Sequence, residues 1–466
     1  MSAGGNPNRP DLRKALALAL AACLFGAPAM AADERPEWLP EGSLGTGLPL
    51  LADPGGLRAA LWERGFKYQL NYLGDLFHNQ SGGLKRGTAY SSRLELVLDG
   101  DLEKAAGWSG AAVHANAYLI NGSGLSRSFV GNLMAISDLE ALPATRLFEA
   151  WLEQKFADGK IALRAGQLGA DTEFIVANYA GMVINGTFGW PAITGNNLPG
   201  GGPSYPLATP GVRLGFYPTD RLSVLVGLYN GDPAGSSNPD PQLANRHGLN
   251  FRVADPAFLI SEVQYKYGDD KSPEGLSGTA KLGAWTHFGK FSDQRYDVDG
   301  RTLADPFSTG EPRQRRGDRG VYGVVDQQLY RLADDPAKGV GVFARIAGAP
   351  SDRNLVDFYA DAGVLVSGMI PNRPDDAVSA AIAYARISRA AVALDQDMIV
   401  VSGIPGPVRS SEILLEATYS AQIVPGWTLQ PNVQYVVRPN GGVDPNNPTR
   451  SLRNAAIVGL RTTFKF

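Results

Sequence analysis

Cysteine is almost missing from this 466-residue chain, with Cys23 the one example. An internal disulfide framework is thereby excluded, because a bridge needs two thiols. Histidine is nearly as scarce: His78, His114, His247 and His287 stand far apart. No H-x-x-x-H pair or paired-cysteine spacing points to a metal, and no G-x-S-x-G elbow marks a hydrolase nucleophile. An excess of one charge is also lacking, since Lys+Arg 43 nearly balances Asp+Glu 46 for a formal net charge of −3. That balance gives no reason to expect a nucleic-acid partner. Past residue 31, no apolar run approaches the ~18 residues that a spanning helix requires.

The first 31 residues read as a secretory leader. Arg9, Arg13 and Lys14 form its basic region, Ala15–Phe25 its apolar region, and Ala29-Met30-Ala31 a small-x-small cleavage site. Cys23 lies inside this stretch, and Leu20-Ala21-Ala22-Cys23 offers a lipobox as the alternative. The apolar run continues past Cys23, which favours plain cleavage and a mature chain beginning near Ala32. Residues 32–65 then form a periplasmic lead-in broken by Pro36, Pro40 and Pro49. Within it, Leu57, Leu61 and Trp62 at helical spacing predict a short helix with one apolar face.

From Phe66 onward the periodicity is two. Sixteen candidate strands fall near 66–77, 88–99, 110–120, 145–156, 160–167, 211–217, 221–229 and 258–267, then 278–289, 320–331, 338–347, 356–367, 377–387, 411–423, 427–437 and 453–466. The connections alternate between short turns (157–159, 218–220, 425–426) and long loops (121–144, 168–210, 230–257, 290–319, 388–410, 438–452). Short turns at one end and long loops at the other suit an antiparallel membrane barrel, not a soluble sandwich. The expected fold is all-β: a sixteen-stranded antiparallel transmembrane β-barrel over 66–466 with a short helix-bearing segment before it.

The last strand carries the pattern plainly. Ala456, Val458, Leu460, Thr462, Phe464 and Phe466 make one row, and Arg453, Gly459, Arg461 and Lys465 the other. The strand 92–99 divides likewise into leucines against Arg93, Glu95 and Asp99. A charge on the lipid face costs about 2–4 kcal/mol at mid-membrane, so the charged rows belong to a wet lumen. Tyr265, Tyr267, Tyr419, Trp427 and Phe466 suit the aromatic belts at the membrane interfaces.

The stretch 146–233 carries several ordered motifs. They are Leu147-Phe148-Glu149-Ala150-Trp151-Leu152-Glu153-Gln154, Arg164-Ala165-Gly166-Gln167, Asp171-Thr172-Glu173-Phe174 and Phe188-Gly189-Trp190-Pro191. Tyr205-Pro206-Leu207-Ala208-Thr209-Pro210-Gly211-Val212-Arg213 and Gly227-Leu228-Tyr229-Asn230-Gly231-Asp232-Pro233 follow. Together they resemble the carbohydrate-selective porins of the OprB type. The Gly55-Gly56-Leu57-Arg58 lead-in is similar too, although Pro54 stands where that family usually has Trp. The resemblance runs from about residue 50 to the end. It implies a Gram-negative outer-membrane barrel that passes small sugars passively, without a cofactor. Lumenal arginines and acidic groups would contact the sugar. It also implies that the terminal strand, ending on Phe466, is read by the barrel assembly machinery, in a monomer or a homotrimer.

Alternation selects the candidate lumenal residues. Arginine offers five fixed donors and carboxylates offer acceptors, which suits sugar hydroxyls, while an aromatic face suits the C–H surface. Arg93, Glu95, Glu149, Trp151, Glu153, Arg164 and Arg213 lie on inward rows of neighbouring strands and are expected to form one mixed ring. Each also has a blander role, as wall charge that keeps a pore wet. Loop 168–210 is too long for an idle connection and is read as the constriction, with Asp171, Glu173 and Phe174 at its start. An external cap or subunit contact is its alternative. His287 reads as an ordinary lumenal histidine, and the arginine-rich loop 290–319 as a solvated external loop. A less selective or anion-preferring porin is the competing function. An outer-membrane lipase would need the Ser and His elements that the sequence lacks.

Overall fold

Alternating apolar and polar residues make two-faced strands, and two-faced strands in lipid must close on themselves because no backbone group can be left unpaired there. The computed structural model, which describes residues 36–268 and 275–466, has such a closed form. The leader read over residues 1–31 lies outside the described residues. The first half of the barrel comprises β1 (Phe66–Gly83), β2 (Gly87–Asp101), β3 (Ala111–Gly122), β4 (Ala144–Phe156), β5 (Ile161–Leu168), β6 (Thr209–Phe216), β7 (Leu222–Asn230) and β8 (Ala257–Tyr267). The second half comprises β9 (Gly278–Asp297), β10 (Pro312–Arg331), β11 (Gly339–Gly348), β12 (Val356–Ser367), β13 (Ala377–Ile387), β14 (Ser411–Val424), β15 (Trp427–Val437) and β18 (Arg453–Lys465). A small hairpin, β16 (Val443–Asp444) with β17 (Asn447–Ser451), sits in the last loop. Each barrel strand pairs antiparallel with its neighbours, and β18 pairs with β1 to complete the sixteen-membered ring. Among the described residues, no helix is long and apolar enough to cross a membrane.

The faces follow the alternation. Leu96 and Leu98 of β2, Val458 and Leu460 of β18 and Leu228 of β7 are exposed on the outer wall. Arg461 and Glu262 are buried inside. Tyr265 and Tyr267 stack at 6.5 Å, and Trp427 stacks on Phe464 at 5.4 Å, near the short-turn ends of their strands. The 157–159 turn uses positive φ at Ala157 and Asp158, the left-handed geometry that matches the strand twist in a tight hairpin. Gly426 has a further reason to be glycine. A Cβ there would lie 2.1 Å from Leu44 N, because the lead-in segment rests on this turn.

Three expectations about elements change. β9 and β10 extend to Asp297 and back from Pro312, so most of the expected loop 290–319 is a paired hairpin. Arg315 bridges Asp293 there. No apolar row marks this extension, because outside the membrane both faces meet water. The expected loop 388–410 holds a helix, Arg389–Ser402, started by Ser388 Oγ accepting from Ala391 N and ended by Gly403 at positive φ. The lead-in helix forms over Leu57–Glu63, but its predicted apolar face is not its buried one. Leu57 is exposed, while Arg58 is buried, donating to Tyr68 O at 2.9 Å and lying over the Tyr68 ring. An arginine stem can cover apolar surface while its head is bonded, which a count of apolar positions overlooks.

Candidate functional site

Two long connections, 123–143 between β3 and β4 and 169–208 between β5 and β6, turn into the barrel instead of standing outside it. Their backbone N–H groups need acceptors once buried, and inward carboxylates of the far wall supply them. Glu412 accepts from Leu133 N and Met134 N at 2.8 and 2.9 Å. Glu416 accepts from Ile184 N and Asn185 N at 2.7 and 3.0 Å. Glu262 and Asp326 take Ile175 N and Tyr179 N in the same way. Arg345, paired with Asp361, donates to the carbonyls of Ile175, Thr187 and Gly189. Gly341 leaves room for this crossing, since a Cβ there would sit 2.1 Å from the Tyr179 ring. The loops also join each other, through Asp138 N to Ile184 O and Gly186 N to Ala135 O.

The expected wet lumen is, in this arrangement, filled in part by the loops. Met134, Ile136, Ile175, Ile184, Phe188 and Ile193 form an apolar core inside the barrel with Phe258, Trp285, Phe343 and Tyr359 of the wall. A cavity lined partly by polar groups lies beside that core. Phe174, expected at the start of the constriction loop, is fully buried in the core. Glu149, expected to face the sugar path, is also buried and accepts from Gly169 N at 2.9 Å, tying down the start of the second loop. Alternation gives the inward direction of Glu149, and loop length alone brings in Phe174. Neither carries information about what lies in front of them.

The expected single ring divides into two groups. Arg164 and Arg213 each contact both Glu153 and Glu173, at 2.7–2.9 Å, in a closed set of four ion pairs. Glu173, assigned from sequence to the loop alone, completes this set. Arg213 is only 2 % exposed, so it holds the loop against the wall and does not offer donors to the path. Arg164 is more open and lies 3.8 Å from the Trp151 ring, which stacks in turn with His114 at 4.9 Å.

Arg93 stands apart with other partners. Its guanidinium lies over Tyr118 and Tyr205, at 4.7 and 5.1 Å from their centres, and 4.0 Å from Glu95. It opens on a cavity of about 420 Å³ between the two inward loops, also lined by Asp138, Asp171 and Trp190. Arg93 Nε and Asp171 Oδ1 are buried without a hydrogen-bond partner among the described residues. Asp171 Oδ2 accepts from Tyr205 N at 2.8 Å. Burial pushes the Asp171 carboxyl up to about 7, and the neighbouring Glu149 charge adds to the rise. Trp190 is half-buried, fixed by its Nε1 donating to Gly201 O at 2.9 Å. It stood in a family-like motif, but no periodicity could single it out within a loop. The Arg461–Asp75 pair at 2.8 Å, with Asp138 beside it, was missed because its members lie at opposite ends of the sequence.

His287, read as an ordinary lumenal histidine, is buried with Nε2 at 3.0 Å from Gly231 O and Nδ1 accepting from Gly289 N. Among the described residues, no cluster of His, Cys, Asp and Glu has the makings of a metal centre.

Comparison with known proteins agrees with this geometry. The profile of the carbohydrate-selective porin, OprB family, matches residues 85–466. Porin B of Pseudomonas aeruginosa is 26% identical over 438 residues, covering 90% of this chain and 91% of its own. The putative porin QuiX of Acinetobacter baylyi is 20% identical, over 90% of this chain and 93% of its own. The high-pH structure of Pseudomonas putida OprB superposes with a TM-score of 0.78 at 23% identity, covering 88% of this chain and 97% of that one. A closed sixteen-stranded barrel, a lumen narrowed by inward loops and a match across most of the sequence lead to one conclusion: the chain belongs to the carbohydrate-selective porin OprB family, sugar-selective channels of the Gram-negative outer membrane.

Proposed function

We propose that small neutral sugars diffuse into the periplasm through the space beside the loop core, contacting Arg93, Asp171 and Trp190 as they pass. The observation that carries this reading is the Arg93 side chain, whose guanidinium lies over two tyrosine rings at the wall of a cavity lined by polar groups. A sugar loses water on entering a narrow pore and needs replacement partners for its hydroxyls. Arg93 supplies donors, Asp171 an acceptor, and the Trp190 ring a surface for the C–H face. Arg164, with Trp151 behind it, offers a further contact, and Glu95 and Glu153 add acceptors. Several moderate contacts suit conduction better than one tight site, because the solute must also leave.

The protein acts as a channel and not as an enzyme. In this reading, residues 1–31 are a leader cleaved near Ala31, 32–65 a periplasmic segment and 66–466 the pore. The strand ending at Phe466 engages the assembly machinery, and each barrel conducts by itself, in a monomer or a homotrimer. The ion-paired state of Arg164 and Arg213 speaks against a simple anion-preferring porin, since their charges are already met by Glu153 and Glu173. Glucose block of ion current in a planar bilayer tests the assignment. Arg93→Ala is expected to weaken the block about tenfold, the worth of one charge-assisted hydrogen bond. It should also move ion preference toward cations. A variant with unchanged block and unchanged ion preference would remove Arg93 from the sugar path.

A further inference from the structure

The short-turn mouth of the barrel carries a row of chemistry that runs on from Trp151 and away from the constriction. Lys67, Asp99, His114 and Trp151 stand opposite one another in register across β1, β2, β3 and β4. Asp99 Oδ1 lies 2.6 Å from His114 Nδ1, yet 57% of the Asp99 side chain remains exposed, so its other lone pairs are open to a ligand. The lead-in segment closes over this row. It is anchored at one end on the Pro425–Gly426 turn and at the other by Arg58 on Tyr68. Lys67 and Lys104 place their ammonium groups 4.2 and 3.8 Å from the centre of the Trp62 ring, which fixes the helix over the mouth. Two cavities result, of about 540 and 430 Å³, sharing Trp62, Lys67 and Asp99. The larger adds Trp38, Glu37, Glu41 and Gln69.

We propose that the larger cavity is a second, exit-side subsite for a neutral hexose, built jointly by the lead-in segment and the first two strands. The proposal rests on the sugar-pore reading and adds a site to it. Its volume lies within the range of small-molecule sites, about 300–1,000 Å³. Half-buried Trp38 supplies the aromatic face, which favours the C–H side of a pyranose. Asp99 accepts from ring hydroxyls, and Lys67 and Gln69 donate to them. Glu37, Glu41 and Asp99 outnumber Lys67 and the nearby Lys104, so the site repels sugar phosphates and sugar acids and admits uncharged sugars. A sugar leaving the constriction thus meets a second set of partners before bulk water, which spreads its desolvation over two steps.

Glucose titration of the full-length protein in detergent tests this, followed by 19F NMR with 5-fluorotryptophan in place of tryptophan. The Trp38 and Trp190 resonances are assigned by their loss in Trp38→Phe and Trp190→Phe. Glucose is expected to shift both resonances. Asp99→Asn should weaken the Trp38 response about tenfold and leave the Trp190 response alone. Arg93→Ala should do the reverse, and glucose 6-phosphate should leave Trp38 unmoved. A Trp38 resonance that stays still at glucose concentrations saturating Trp190 overturns the exit subsite while the constriction reading stands. A shift at Trp38 with none at Trp190 would instead sink the constriction assignment. Unchanged heat-dependent migration on detergent gels keeps a misfolded variant from being read as a loss of binding.

Discussion

Glu173 shows how one side chain can link a loop to a wall. It meets Arg164 and Arg213 together, and Arg213 is too buried to find water if that partner goes. Glu173→Gln is therefore expected to cost about 1–3 kcal/mol, the price of leaving a buried charged donor under-satisfied. Urea unfolding of the barrel in lipid vesicles, followed by tryptophan emission, checks this, and an unshifted midpoint would mean the pairs contribute nothing. Asp171 gives a pH dependence of known sign. Burial lifts its carboxyl to about 7 in the folded loop, with the Tyr205 N–H and Arg93 acting against the rise. An unfolded aspartate titrates near ~3.9. The folded state thus holds the proton more tightly, so loop docking is most favourable below about pH 4 and weakens as pH rises through about 7. Hydrogen exchange at residues 170–174 should quicken over that window beyond its ordinary base catalysis, and Asp171→Asn should remove the excess.

At the scale of elements, what the sequence reveals depends on which forces act locally. Strands are legible because lipid on one side and water on the other impose a period of two on adjacent residues. The spans 356–367, 377–387 and 427–437 accordingly match their strands end to end. Where both faces meet water, as in Pro312–Arg319 of β10, the period vanishes and the sequence reads as loop. The inward path of the loops is harder still. Leu133 and Met134 are held by Glu412, 279 and 278 residues away, and no local pattern connects them. The length of 168–210 marks it as a loop that must go somewhere, whereas 121–144 gives no such sign. The same limit explains Glu149, whose inward direction is legible from alternation and whose covering is not. Glu416→Ala deletes the acceptor of two buried N–H groups at the middle of the second loop. The expected outcome is a larger single-channel conductance with weaker sugar block, since the loop gains freedom while β14 keeps its ladder. Unchanged conductance would assign the narrowing to the first loop, which Glu412 holds.

At the scale of the whole molecule, closure and filling are separate achievements. Closure follows from the paired strands, which satisfy the barrel backbone groups internally, and the barrel is therefore expected to resist unfolding by detergent alone. Filling comes from the two loops, beside whose apolar core lies a cavity edged by Arg93, Asp171 and Trp190. Selectivity on this account is a matter of chemistry as well as width. Size-graded uptake into liposomes is the measurement that tests it most directly, comparing sugars with other neutral solutes of matching mass. Hexoses are expected to enter faster than size-matched polyols lacking a ring, with Arg93→Ala and Trp190→Ala each removing that preference. Entry rates that follow mass alone, identical for ring sugars and open-chain solutes, would contradict a sugar-selective constriction.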